Sequence, residues 1–169
     1  MQRIILAATT GALLLTGSAC GTKSDTDTAA APKAPAATVS ASPSADYTAD
    51  TKKVCGEIEK LLDGKKMEKF GEELGKLIVY KQAKATAEAK KARTAAGERL
   101  TDLAKAMNES TAAAKDPELK AAGEETLQAM TRTAEDDAFF AKLKTVKDLD
   151  KTLESGITAW LTPLTPFCA

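Results

Sequence analysis

Three carboxylate clusters, three cysteines and a lysine-rich run are the residues in this chain whose types could do chemistry. The clusters are Glu72-Glu73, Glu124-Glu125 and Glu135-Asp136-Asp137. A di-metal centre in a helical bundle pairs glutamates with a Glu-x-x-His motif on facing helices, and this chain has no histidine. Calcium would suit carboxylates alone, but an EF-hand loop begun at Asp148 puts Leu153 where glycine is needed and Ala159 where the bidentate glutamate belongs. The missing histidine also removes Ser-His and Cys-His nucleophile pairs and any imidazole switch. The folded part has no Gly-x-Ser-x-Gly, no Ser-x-x-Lys and no glycine-rich phosphate loop. Carboxylate-only catalysis of the glycosidase kind stays formally open and needs a deep cleft. The clusters are therefore read as solvated helix faces, and no metal, cofactor or enzymatic activity is expected.

Charge narrows the partners. There are 24 Lys plus Arg against 24 Asp plus Glu, so the field that drives nucleic-acid binding is missing and no nucleic acid is expected. Aromatic residues are 4% of the chain, too few for a base-stacking platform. One local excess stands out. Lys81, Lys84, Lys90, Lys91 and Arg93 are opposed within that run only by Glu88. Such a run either faces an anionic lipid or envelope polymer, or is a solvated face beside an alanine seam.

The start of the chain reads as an address. Met1-Gln2-Arg3 is short and positive, Ile4 to Leu15 is an apolar run, and Thr16-Gly17-Ser18-Ala19 is small. That is the layout of a secretory signal, with an apolar run shorter than the ~20 residues that cross a membrane. Leu15-Thr16-Gly17-Ser18-Ala19-Cys20 resembles the lipobox of bacterial lipoproteins, with Gly17 where the family most often carries a larger aliphatic residue. The resemblance implies a signal peptide over residues 1–19 and diacylation of the Cys20 sulfur. Cys20 would then be the mature N-terminus, anchored in the cell membrane at its extracytoplasmic face. A plain signal peptide with an incidental cysteine is the other reading.

An odd number of cysteines in an exported chain calls for an explanation. Lipidation takes Cys20 and leaves Cys55 and Cys168, for which a disulfide is the default in an oxidising space. It would close 112 intervening residues, worth up to ~4–5 kcal/mol in the chain-entropy model. Two separate thiols are the rival reading.

These residues need elements to position them. Residues 20–47 are the lipid-bearing cysteine and an Ala/Pro/Ser/Thr-rich linker with little to bury, expected to be disordered. Residues 48–169 carry helical spacing and no strand signal, so the fold class is all-α: an elongated antiparallel hairpin or bundle of three to four helices with one disulfide. The first stretch is about 49–62 and stops at Asp63-Gly64. The second starts near Lys65, with a stripe through Met67, Phe70, Leu74, Leu77, Ile78, Ala85, Ala89, Ala92, Ala96, Leu100, Leu103 and Met107. Unbroken to Ala114 it is one helix of about fifty residues, ~75 Å long. Broken near Lys81 or Gly97, it gives a compact bundle instead. Asp116-Pro117 starts the third and Asp148 the fourth, which Pro163 ends. Residues 81–99 hold no apolar side chain larger than alanine. An antiparallel turn at Lys115-Asp116 sets paired positions to sum to about 231, so that this small face meets Phe139, Phe140, Leu143 and Val146, and brings Cys168 toward Cys55.

Adjacent Phe139 and Phe140 cannot both point inward from one regular helix. They are candidate partner contacts, together with Trp160 near the end of the fourth stretch. The expected function is an anchored, non-catalytic binding or structural module that holds a protein or cell-envelope partner. The alternative is a helical-bundle carrier whose interior, beneath Trp160, takes a small apolar ligand.

Overall fold

The computed structural model describes residues 46–169. The expected signal peptide, Cys20 and the expected linker as far as residue 45 lie outside the described residues. Among those described, every regular element is helical, as the spacing predicts. Five helices exceed fourteen residues, one more than the upper sequence expectation: α1 (Thr48–Leu62), α2 (Lys65–Gln82), α3 (Thr86–Ala112), α4 (Pro117–Glu135) and α6 (Val146–Leu161). Two short pieces join them, α5 (Asp137–Ala141) and, after a 3-10 turn at Thr162–Leu164, α7 (Thr165–Cys168).

The additional helix comes from a break in the long second stretch. Residues 65–114 are two helices, and the rod of about fifty residues does not form. The break is a Schellman turn. The Ala85 N–H donates to the Tyr80 carbonyl at 2.9 Å and the Lys84 N–H to the Lys81 carbonyl at 3.1 Å. Lys84 takes the left-handed position of this motif, φ 56°, where glycine is usual. The chain then reverses, and α3 packs back along α2. Leu74, Leu77 and Ile78 of α2 and Ala92, Ala96 and Leu100 of α3 are buried in the common core. The alanine face of α3 is thus covered by large residues, as close packing requires. Part of that cover comes from α2, on the same side of the 113–116 turn in sequence.

The α3–α4 pairing has the expected register. A Cβ on Gly97 would sit 2.8 Å from the Ala134 carbonyl oxygen, and 97 and 134 sum to 231. Nearer the turn, Gly123 of α4 lies against the Thr111 side chain of α3 so closely that no Cβ fits between them. Asp116 caps α4 by accepting from the Glu118 N–H at 2.8 Å, with Pro117 in the first turn. Asp136 repeats the device for α5, accepting from Ala138 N–H at 2.8 Å. A reciprocal Thr145–Asp148 capping box starts α6.

α1 lies across α3 and α2 and buries Val54 and Ile58, while α6 lies on α4 and α2 and buries Trp160. The core is continuous through Phe70, Leu103, Met107, Leu119, Met130 and Leu143. The tail returns to α1, where Cys55 and Cys168 form a disulfide with Cα atoms 5.4 Å apart. The backbone N–H of Lys115, in the α3–α4 turn, donates to Asp50 of α1 at 2.6 Å. That end of the domain is therefore tied twice.

Candidate functional site

The sequence run from Lys81 to Arg93 becomes a place in space because the α2–α3 turn falls inside it. Lys81 and Lys84 leave the end of α2, and Lys90 and Arg93 follow one and two turns into α3. They surround a cleft of about 400 Å³ whose apolar surface includes Leu77, Tyr80, Ala89, Phe140 and Ala141. One carboxylate, Asp137, lies on its edge. Lys91 is on the outer side of α3, beside Ala87, Lys90 and Thr94, and does not line this cleft.

Two of the four cations are held by the fold. The Lys81 ammonium donates to the Phe140 carbonyl at 2.6 Å and the Leu143 carbonyl at 3.1 Å, closing the open C-terminal end of α5. Burial, with Lys144 nearby as a second cause, holds its pKa below the usual lysine value. Beside it, Gln82 Nε2 donates to the Lys144 carbonyl at 3.0 Å. The Arg93 guanidinium sits 4.6 Å from the centre of the Phe140 ring. Its Nη2 donates to the Glu135 carbonyl at 2.9 Å, and its Nε lies 2.9 Å from Asp137 Oδ1. Asp137 is almost fully exposed, so this pair contributes little to stability.

The other two cations, Lys84 and Lys90, are exposed. They have no ion-pair partner among the described residues. Between them, α3 begins at Thr86, which also lines the cleft. Its N-cap is Ala85, which has no side chain to accept from the first-turn N–H groups. The macrodipole of α3 therefore adds positive potential at the same mouth. The arrangement offers fixed positive charge around an apolar surface. That chemistry holds an anion with an apolar part.

The aromatic residues singled out from sequence lie elsewhere than expected. Phe139, Phe140 and Trp160 are all buried, at 8%, 2% and 2% exposure. The expectation that one of the phenylalanines is partly exposed is corrected, and the three candidate partner contacts lie in the core of the described domain. The reason is the kink at Asp136, which ends α4 and starts α5. The kink re-aims the chain, so that on the short α5 Phe139 turns toward Trp160, with ring centroids 6.0 Å apart, and Phe140 turns toward Arg93. The Trp160 ring also meets Phe70 at 6.3 Å, and its Nε1 donates to Thr133 Oγ1 at 2.9 Å. It is core, and none of the main clefts reaches it. Of the three, Phe140 alone lines the basic cleft.

Sequence reasoning missed Leu77 and Tyr80 as cleft residues, because a break at Lys84 carries no glycine to announce it. The lysine at 81, interrupting the apolar stripe, was the available signal. The carboxylate clusters are dispersed. Glu73 pairs with Lys76 at 2.7 Å, Asp137 faces Arg93, and Glu124 and Glu125 are exposed. Among the described residues no group of three or more carboxylate or thiol side chains comes together to hold a metal, and no helix is long and apolar enough to cross a membrane.

A second cleft of about 780 Å³, mixed polar and apolar, lies at the disulfide end, lined by residues including Tyr47, Thr51, Cys55, Pro117 and Phe167. The chain enters the helical domain there. The basic cleft is at the opposite end of α3, about 40 Å away at 1.5 Å per residue. No protein-family model, curated protein or solved structure matches this chain.

Proposed function

We propose that this is an exported bacterial lipoprotein. In this reading it is held at the extracytoplasmic face of the cell membrane through diacylated Cys20 and carries a non-catalytic helical binding module on an Ala/Pro/Ser/Thr-rich linker. The Cys55–Cys168 disulfide is the single observation that carries the reading. It accounts for two of the three cysteines and suits an oxidising compartment, which leaves Cys20, directly after an apolar run and small residues, as the thiol for the anchor.

The module's partner belongs to the envelope. The described residues offer no paired nucleophile and base, and the zero net charge argues against nucleic acid. What supports binding is the basic-rimmed cleft at the α2–α3 turn. The same cleft favours the carrier reading in a changed form. The space for a ligand lies over Phe140, not beneath Trp160, and its rim is charged.

Membrane fractionation tests the anchor. Wild-type protein sediments with membranes and takes up labelled palmitate, whereas Cys20→Ser takes up none and is recovered in the soluble exported fraction. Equal sedimentation of the two forms without label would contradict the anchor.

A further inference from the structure

We propose that the cleft between the end of α2, the start of α3 and α5 binds a single-chain amphiphile with an anionic head, such as a fatty acid. This rests on the binding-module reading above and names the ligand class of that module.

Three independent features converge on this class. The cleft is apolar inside, through Leu77, Tyr80 and Phe140, and its volume of about 400 Å³ is that of a small-molecule site. Lys84, Lys90 and Arg93 stand at the rim against one exposed carboxylate, in a chain whose total charge is zero. A head with one negative charge offsets part of this local excess, and an uncharged lipid offsets none. The uncapped first turn of α3 adds backbone donors on the same side.

Lys84 gives a further argument. Its backbone is in the left-handed region, which costs an L-residue stability that glycine would not lose. The structure gives its exposed side chain no partner that offsets this cost. A lysine charge at the mouth of the cleft is a reason for the position to carry lysine. The prediction is a residue that weakens the free fold and strengthens binding.

Lys81 and Arg93 hold α5 in place, so the test uses Lys84 and Lys90. Sodium dodecanoate, kept below its micellar concentration, is titrated calorimetrically into the full chain carrying Cys20→Ser. The expected result is saturable binding of one molecule per chain, weakened by added salt. Lys84→Gly/Lys90→Gln weakens it by about tenfold, while Lys84→Gly alone raises Tm by about 4 °C. Ala141→Trp, at the exposed mouth, blocks binding with all four cations kept. Dodecyl maltoside, with the same tail and a neutral head, and acetate, with no tail, do not bind.

Absence of saturable dodecanoate binding overturns the proposal. So does equal affinity for dodecyl maltoside, or an unchanged affinity in the folded double variant. Binding only to phosphatidylglycerol vesicles also overturns it, in favour of a membrane surface. The titration needs no anchor, so its failure removes this ligand and leaves the lipoprotein reading intact. A soluble wild-type protein that binds dodecanoate would do the reverse.

Discussion

Lys84 and Gly123 are opposite cases of one physical rule. Lys84 has a side chain where the backbone favours none, and Gly123 has none because there is no space for one. Replacing Lys84 by glycine relieves the left-handed strain and adds about 1 kcal/mol of stability, less a share for the freer unfolded chain. Gly123→Ala drives a methyl into Thr111 and costs about 3 kcal/mol, because helices α3 and α4 must separate to admit it. Denaturant unfolding of the two variants reads both values, and they should have opposite signs. Asp148 supplies a pH dependence. The hydrogen bond from the Thr145 hydroxyl, before any other cause, holds its carboxyl below the usual aspartate value. Its contribution is therefore complete above the unfolded-state value of ~3.9 and is lost as pH falls toward the folded-state value. Unfolding midpoints from pH 6 to 3 should fall more steeply for wild type than for Asp148→Asn, and the two curves should converge at the acid end.

At the scale of elements, the hydrophobic period located the helices and the caps placed their starts. Asp116-Pro117 was legible because a capping side chain and a fixed φ are written in residue types. The register of α3 on α4 was legible because a tight turn at Lys115-Asp116 fixes which positions of an antiparallel pair meet, as Gly97 beside Ala134 does. The α2–α3 reversal was not. Ala83-Lys84-Ala85 contains neither glycine nor proline, and alanine on both sides favours continuing the helix. Tertiary packing decides against it: a reversed α2 lays its leucines on an alanine face that a single rod would leave half covered. The Asp136 kink was missed for a related reason, since a capping aspartate inside a cluster of acids looks like surface charge. It is what lets adjacent Phe139 and Phe140 both be buried. Asp136→Ala, which removes the cap of α5, should cost about 1 kcal/mol. It should also shift the near-ultraviolet signal of Trp160, since Phe139 packs on that ring.

In the described domain, the two ends of α3 do different work. One end is fastened by the Cys55–Cys168 bridge and the Lys115–Asp50 hydrogen bond, where the chain enters. The other presents the basic cleft, which the entering chain does not line. The core between them is built largely from leucine and alanine around few aromatic rings, so a covalent closure matters more than it would in a larger domain. Reduction should lower stability by up to ~4–5 kcal/mol, measured as the gap between oxidised and reduced thermal transitions, with helical circular dichroism kept below the lower one. The cleft was half legible from the chain. Its charges were visible as the run from Lys81 to Arg93, whereas its apolar surface depends on a fold-back and a kink that leave little mark in residue types.

The claim on which the rest depends is the division of three sulfur atoms between an anchor and a bridge, and one mass spectrum of the intact protein taken from native membranes reads both. The account predicts a chain beginning at Cys20, heavier by a diacylglyceryl group and lighter by two hydrogens. A chain that starts elsewhere, an unmodified Cys20, or free thiols at Cys55 and Cys168 would contradict it.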